Sequence, residues 1–499
     1  MPPSEDQHFD VVVVGGGPAG STVSTLIARQ GHRVLLVEKQ KFPRYQIGES
    51  LLPSTVHGVC RILGVAEALE RAGFKRKLGG IFKWGANPEP WDFSFSVSPR
   101  LAGPTSFAYQ VERSKFDSIL LDNSRRSGVD VREGCAVSEI IEEDGRVVGI
   151  RYTDDSGQSR EARARYVVDA SGNGSRIHRF VGGKRNYSDF FRNIAVFGYF
   201  EGGGRMPKPK DGNIFSVAFD KGWIWYIPLA DNLTSVGAVV GRENVKEIQD
   251  DPAAAWRRML KSCPEIDALL DGVDQVSEGQ YAEVRVRKDW SYWKDSFWSP
   301  GMILVGDAAC FVDPVFSSGV HLATYSALLA ARSINSCLDG TLTEDRSFGE
   351  FEARYRREYG LFYEFLVSFY DMHRDEQSYF WKAKKITNCG DSDLEAFVEL
   401  IGGLVSGDTS LVSSDAAIAR LTATSAEFET AVRSSKDSDD LGNPFFEAES
   451  IGAILSEGAN LQGRAMFGEP IEPEAPLFTG GLVASKDGMS WAEPADVRN

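Results

Sequence analysis

Phe9-Asp-Val-Val-Val-Val-Gly-Gly-Gly-Pro-Ala-Gly20 is the stretch that decides the fold of this 499-residue chain. Phe9 to Val14 is a short apolar, β-branched run, the pattern of a buried strand. It ends in Gly15-x-Gly17-x-x-Gly20, and Ser21 to Gln30 then has helical character before a break at Gly31. Arg33 to Val37 is a second apolar strand, closed by the acidic Glu38 eighteen residues after Gly20. Strand, glycine turn, helix and strand within about 30 residues make a βαβ unit. In that setting the glycines are a dinucleotide fingerprint. Gly15 permits the tight turn, Gly17 lets the backbone approach a pyrophosphate, and Gly20 allows close helix–strand packing. The helix N-terminus faces the phosphate charge, and Glu38 can accept hydrogen bonds from ribose hydroxyls.

Further on, Val129 to Val131, Val137 to Ile141 and Val147 to Tyr152 read as short strands between Gly or Asp turns. Tyr166-Val-Val-Asp-Ala-Ser-Gly172 is a strand entering another glycine turn, and residues 190–240 alternate in the manner of antiparallel strands. Met302-Ile-Leu-Val305 is one more buried strand, followed by Gly306-Asp307 and a helix from about Gly319 to Leu338. Beyond Gly340 the pattern turns helical. Phe348, Phe351, Tyr355, Tyr359, Phe362, Phe365 and Phe369 recur at spacings of three and four, a stripe whose expected role is core packing. From Ala431 onward 12 acidic residues outnumber 5 basic ones among several prolines, so this tail is expected to be extended or mobile.

The expected architecture is therefore α/β. A Rossmann-like dinucleotide-binding domain is discontinuous over 1–80, 105–185 and 280–340. An interleaved antiparallel-sheet substrate domain takes 81–104 and 186–279, and a mainly helical C-terminal region takes 341–499.

The net charge of −16 disfavours a nucleic-acid partner, which needs a basic face, and an anionic membrane surface for the same reason. No apolar run approaches the ~20 residues of a membrane-spanning helix. The first residues, Met-Pro-Pro-Ser-Glu-Asp-Gln-His, lack the features of a signal peptide. Cys60, Cys135, Cys263, Cys310, Cys337 and Cys389 form no CxxC pair, which reads as reduced thiols of a cytoplasmic protein. His8, His32, His57, His178, His321 and His373 lack close ligand spacing, so no metal site is expected. No nucleophile elbow or Ser/His/Asp pattern suggests hydrolysis.

The first fingerprint does not separate FAD from NAD. Gly306-Asp307, after a buried strand and before a helix, does: its Asp can bind the flavin-side ribityl or phosphate region. No second GxGxxG has its own βαβ setting, so a dedicated NAD(P)H domain is not evident. Four segments then carry a family resemblance. They are Gly15-Gly-Gly-Pro-Ala-Gly20, Phe42-Pro-Arg-Tyr-Gln-Ile-Gly-Glu-Ser-Leu-Leu-Pro53, Trp223-Ile-Trp-Tyr-Ile-Pro228 and Gly306-Asp-Ala-Ala-Cys-Phe-Val-Asp-Pro-Val-Phe-Ser-Ser-Gly319. Together they resemble the flavin-dependent halogenases, within the glutathione-reductase-type flavoprotein monooxygenases, and most of all the phenol and pyrrole halogenases of natural-product pathways.

The resemblance implies FAD, used reduced, with chloride and O2 as co-substrates and a separate NAD(P)H-dependent flavin reductase as partner. It carries Gly15, Gly17, Ala19, Gly20, Glu38, Gly48, Arg113, Asp307 and Gly319 over as flavin contacts. Trp223 and Trp225 become a screen between flavin and organic substrate. Ser318 and Gly319 match a turn that holds chloride through backbone N–H groups, a role physically apt for a helix start. Plain helix capping by serine is the simpler role there, and the two roles can coexist. The family's essential lysine lies three residues after a phenylalanine, which selects Lys77 after Phe74 over Lys75. By that resemblance, chloride attacks a flavin C4a-hydroperoxide to give hypochlorous acid, and Lys77 captures or orients it. Capture needs a neutral amine, which burial would favour.

One departure stands out. Where tryptophan halogenases carry a glutamate in this turn, this chain has Phe316, which leaves the base for rearomatisation open and favours an activated phenol or pyrrole over indole. The leading substrate expectation is a phenolic, tyrosine-like group tethered to an acyl or peptidyl carrier protein. An aromatic hydroxylase on the same fold, and a non-catalytic flavin-binding protein, remain the alternatives.

Overall fold

The computed structural model describes residues 7–84, 89–98, 100–371, 393–404, 406, 476 and 478–494. Two sheets organise them. In the first, Gln7–Val14 lies between Ser159–Asp169 and Val34–Glu38, with Met302–Leu304 and Asp130–Glu133 outside these, all five parallel. Val11, Val12 and Val13 have no exposed surface, as expected for a strand covered on both faces. The hairpin Ala136–Glu143/Arg146–Thr153 adds to this sheet through Ser159–Asp169, and Trp298–Ser299 closes an edge antiparallel. The parallel strands and the hairpin fall where the short apolar runs indicate, most ends shifted by one or two residues, but Ser159–Asp169 begins seven residues before the expected Tyr166, because its first half pairs as a polar edge with the hairpin.

The second sheet has eight strands in the order Cys310–Phe311, Arg285–Lys294, Arg185–Glu201, Leu233–Val240, Gly222–Ala230, Ile214–Phe219, Gly79–Lys83 and Trp91–Ser94. All neighbours are antiparallel except Ile214–Phe219 against Gly79–Lys83. Arg285–Lys294 thus belongs to this sheet, although the sequence reading put 280–340 wholly with the dinucleotide-binding part. Polar residues dominate the strand (Arg-Val-Arg-Lys-Asp), which hid its pairing with Arg185–Glu201.

The Gly319–Leu338 helix runs over the interior of the molecule, buried along nearly its whole length. The Glu344–Asp371 helix packs on it with the aromatic stripe inward: Phe348, Phe351, Tyr355, Phe362, Phe365 and Phe369 are all 0% exposed. The core reading of that stripe is what the structure has. Of the tail from Ala431, the described residues are 476 and 478–494, and the expected mobility of the rest falls outside them. Val483–Ala484 and Trp491–Ala492 form a small hairpin docked on these two helices. The Trp491 indole donates to Ser333 Oγ at 2.8 Å, and Asn335 donates to the Met489 carbonyl at 2.8 Å. Arg354, fully buried, pairs with Glu350 and donates to the Leu482 carbonyl, while Glu350 accepts from Leu482 N. Cys60, Cys135, Cys263, Cys310 and Cys337 are buried free thiols, and Cys389 and His373 lie outside the described residues.

Removing one partner of a buried ion pair leaves the other charge unmatched, at about 3–5 kcal/mol. Glu350→Ala is expected to lower unfolding stability by that amount in denaturant titrations. An unchanged midpoint would show that the hairpin and the pair contribute nothing.

Candidate active site

A cavity of about 1000 Å³ runs between the two sheets, with Gly15, Gly17 and Glu38 at one end and Trp223, Trp225 and Gly319 at the other. The βαβ turn shapes the first end. A Cβ on Gly20 would overlap the Gly15 carbonyl, so only glycine lets the helix start this close to the strand. Glu38 accepts from Gly16 N at 2.7 Å and Gln40 N at 2.8 Å, holding the turn while its remaining lone pairs stay free for hydroxyl donors. Ala19 lines the wall beside it, and Gly48 and Arg113 line the middle. Arg113 grips Asp117 through Nε at 2.8 Å and Nη2 at 3.0 Å, and donates from Nη1 to the Ile47 carbonyl at 2.5 Å. Half-buried Asp307 lines the same space. Desolvation pushes its carboxyl up to about 6, against the pull of Arg113 and Arg185.

At the far end, Ser317 adopts a left-handed conformation (φ 61°) and lets the chain turn into the Gly319 helix. Ser317 and Gly319 line the cavity. The Ser318 hydroxyl is buried without a partner and makes no helix cap, so the capping role is not realised. A Cβ on Gly319 would meet nothing within 4 Å. The protein itself therefore has no packing need for glycine there; the space belongs to whatever fills the cavity. An open floor beside a helix N-terminus, an unpartnered buried hydroxyl and a glycine turn at the opposite end together fit FAD. Asp313 fixes the turn: it accepts from Val315 N at 3.0 Å and the Tyr370 hydroxyl at 2.9 Å, and burial pushes its carboxyl up to about 6.

Alternation along Gly222–Ala230 places Trp223 and Trp225 on one face, rings 6.0 Å apart, both at the cavity wall. Trp225 Nε1 donates to Ser235 Oγ at 3.2 Å. Lys77 lies behind the Gln46–Pro53 wall and is 3% exposed. Its Nζ donates to Ser50 Oγ at 2.9 Å and to the Leu51 carbonyl at 3.2 Å, and Ser50 itself lines the cavity. Burial without a carboxylate partner pulls the amine down to about 7. Lys75, two residues earlier in the same strand, is paired with Asp211 and Asp231, which holds it above its ordinary range. Phe316 is packed among rings: Phe365 stacks on it at 5.2 Å, with Phe369 at 4.8 Å and Phe82 at 6.1 Å.

Two arrangements escaped sequence reading because their members lie far apart in the chain. His321 accepts or donates at Ser54 Oγ (2.9 Å) and Glu358 Oε1 (2.8 Å), all three buried within the helices. Glu49, inside the Phe42–Pro53 motif, lines the cavity and accepts from the Tyr199 hydroxyl at 2.7 Å.

Fold and cavity define a dinucleotide-binding enzyme fold whose site fits FAD. Residues 10–103 and 98–428 match the tryptophan halogenase family, and the chain belongs to it. Among its relatives, a protein of Chondromyces crocatus described as tryptophan 2-halogenase is 36% identical over 408 residues, 79% of this chain and 76% of that one. The flavin-dependent halogenase gsfI of Penicillium aethiopicum is 33% identical over 365 residues, 68% of this chain and 66% of that one. Among solved structures, the myxobacterial chondrochloren halogenase CndH is 50% identical with a TM-score of 0.74, covering 97% of this chain and 100% of that one. The flavin-dependent halogenase CmlS follows at 30% identity and a TM-score of 0.70, covering 97% of this chain and 84% of that one. FAD is the cofactor of this family, and its members generally work with a separate flavin reductase. Among the described residues no helix is long and apolar enough to cross a membrane.

Lys77 makes a pH-dependent prediction. Its folded pKa lies below the unfolded value, so the unfolded chain binds more protons between pH 7 and 10.5. The contribution of this residue to stability is therefore least favourable below pH 7 and rises with pH through that window. At 1.36 kcal/mol per unit, about 2–3 kcal/mol of this slope falls between pH 7 and pH 9. Lys77→Met is expected to flatten the difference in denaturant titrations, and equal slopes in both proteins would refute a desolvated amine.

Proposed function

We propose that this chain chlorinates an electron-rich aromatic ring, a phenolic, tyrosine-like group carried by an acyl or peptidyl carrier protein in natural-product biosynthesis. The observation that carries the reading is Lys77: an amine with no carboxylate beside it, pulled toward neutrality, one hydrogen bond behind the cavity wall. Bound reduced FAD, delivered by an NAD(P)H-dependent flavin reductase, supplies the electrons with which O2 and chloride become hypochlorous acid and water. Gly15, Gly17, Ala19, Gly20 and Glu38 hold its adenosine and phosphate end, and Gly48, Arg113 and Asp307 border the rest. The Ser318 and Gly319 turn offers chloride unpaired N–H groups at a helix start, where negative charge is favoured.

Lys77 then acts as nucleophile. Its lone pair takes chlorine from hypochlorous acid, the N–Cl bond forms as Cl–O breaks, and the displaced oxygen leaves as water with the amine proton. The ring attacks the chlorine, returns the amine, and loses its own proton. A phenol serves because ionising the hydroxyl pushes electrons into the ring, and because Phe316 provides no carboxylate to help a less activated one. Trp223 and Trp225, at the cavity wall, screen the flavin from the organic substrate, so that it does not react there directly.

The test supplies FAD, a flavin reductase with NADH, O2 and chloride, and offers free and carrier-tethered tyrosine derivatives. The expected product carries a chlorine isotope pattern in its mass spectrum. A product that gains only oxygen makes the chain an aromatic hydroxylase, and FAD binding with no product makes it non-catalytic. Lys77→Ala is expected to abolish chlorination with FAD binding intact; full chlorination by that variant would remove the lysine from the mechanism.

A further inference from the structure

Turning halide, O2 and reduced flavin into hypohalous acid, water and oxidised flavin consumes one proton beyond the two hydrogens of the reduced flavin. A cavity walled by tryptophans and buried carbonyls needs a route for that proton. Glu49 stands at such a route. Its carboxyl group is 2% exposed and lines the cavity, with Oε1 accepting from Tyr199 and Oε2 buried without a hydrogen-bonding partner. The Tyr199 hydroxyl is 2.7 Å from that of Tyr45, which is half-buried at the cavity wall. Three groups thus form an unbroken chain from the partly exposed Tyr45 to a carboxyl oxygen left without a hydrogen-bond partner.

We propose that Glu49 is the proton donor of the cavity, reloaded through Tyr199 and Tyr45. This rests on the halogenation reading for the use of the proton, and on geometry alone for the relay. The protonated carboxyl gives its proton from Oε2 to the acceptor in the cavity. Oε1 then takes the proton of Tyr199, which takes that of Tyr45, which takes one from solvent. Rotation of the carboxyl group returns the new proton to the cavity side, so the cycle transfers one solvent proton per turnover and leaves each group as it began.

The surroundings suit this task. Burial pushes Glu49 up to about 7, and Glu112 adds to the rise. Ser235, Tyr199 and Arg113 pull the other way without overcoming desolvation. Arg285 lies over the Tyr45 ring at 3.9 Å, and both tyrosines stay protonated because burial and the nearby Glu49 raise them. A carboxyl group near 7 is at once a competent donor and readily reloaded.

The proposal is tested first in the flavin-free protein, by infrared difference spectra recorded on both sides of pH 7. The expected signal is a buried carboxylic-acid carbonyl band that fades as the pH rises, absent from Glu49→Gln. Tyr199→Phe removes a donor that favours the carboxylate, so the midpoint of the band moves upward. Tyr45→Phe, at a half-buried position, leaves the midpoint in place. In turnover with FAD, reductase and chloride, Glu49→Gln is expected to slow hypochlorous acid formation about 10²-fold. Tyr45→Phe is expected to slow it several-fold, and the loss deepens as the pH rises. A band that persists in Glu49→Gln, or full-rate halide oxidation by Glu49→Gln or by Tyr45→Phe and Tyr199→Phe together, overturns the assignment. If the wild-type band titrates as expected but no halide is oxidised, the halogenation reading fails and the relay stands.

Discussion

The organisation of the site depends on how Lys77 is desolvated. The Gln46–Pro53 segment passes between the two sheets, presenting Gly48, Glu49 and Ser50 to the cavity and the Ser50 hydroxyl and Leu51 carbonyl to the lysine. A protonated ammonium has three donors, whereas a neutral amine has two donors and a lone pair. Two acceptors match the neutral form, leaving only the Phe95 ring face, 5.7 Å away, for a third N–H. Burial and hydrogen-bond count therefore work in the same direction. A carboxylate at this point would reverse both effects, and the acidic side chains of the neighbouring segments are engaged elsewhere: Asp211 and Asp231 by Lys75, Glu49 by Tyr199.

Aromatic packing extends that desolvation beyond one residue. Trp223 and Trp225 close the cavity side, while Phe316, Phe365, Phe369 and Phe397 form a continuous group of rings behind the Ser317–Gly319 turn. Such a group holds Phe316 too firmly, and too far from water, for a carboxylate to replace it without a buried, unpaired charge. Phe316 is thus held by the whole helical layer, not by its turn alone. The Glu344–Asp371 helix supplies Phe365 and Phe369 to this layer and Tyr370 to Asp313, so the same element excludes water and orients the turn.

The fold was legible where local pattern and tertiary role coincide. Val11 to Val14 are apolar because both faces are covered, and Gly15 and Gly20 are glycine because backbone approaches backbone there. The aromatic stripe likewise read correctly as core. What stayed hidden was everything joined across long stretches of chain: Arg285–Lys294 in the second sheet, the terminal hairpin on Arg354, and Glu49 with Tyr199. Glu49 did lie inside a quoted motif. Only the tertiary structure reveals that a hydroxyl 150 residues away binds one oxygen and nothing binds the other. The choice between Lys75 and Lys77 needed the family at the sequence level, because only tertiary structure shows how differently the two are surrounded: Lys75 meets Asp211 and Asp231, whereas Lys77 is buried against Ser50 and the Leu51 carbonyl.

Net charge behaves in the same local way. A chain at −16 is a poor field for anions, yet a dinucleotide diphosphate and a halide are both anions. Arg176, Arg287 and Lys288 line the cavity against that balance, and two helix starts, after Gly17 and at Gly319, point backbone N–H groups into it. The low-dielectric walls strengthen these few positive contributions far more than the screened surface carboxylates oppose them. Anion binding in this protein is decided by which groups the cavity desolvates, and the summed surface charge bears instead on solubility and on which proteins can approach the outside.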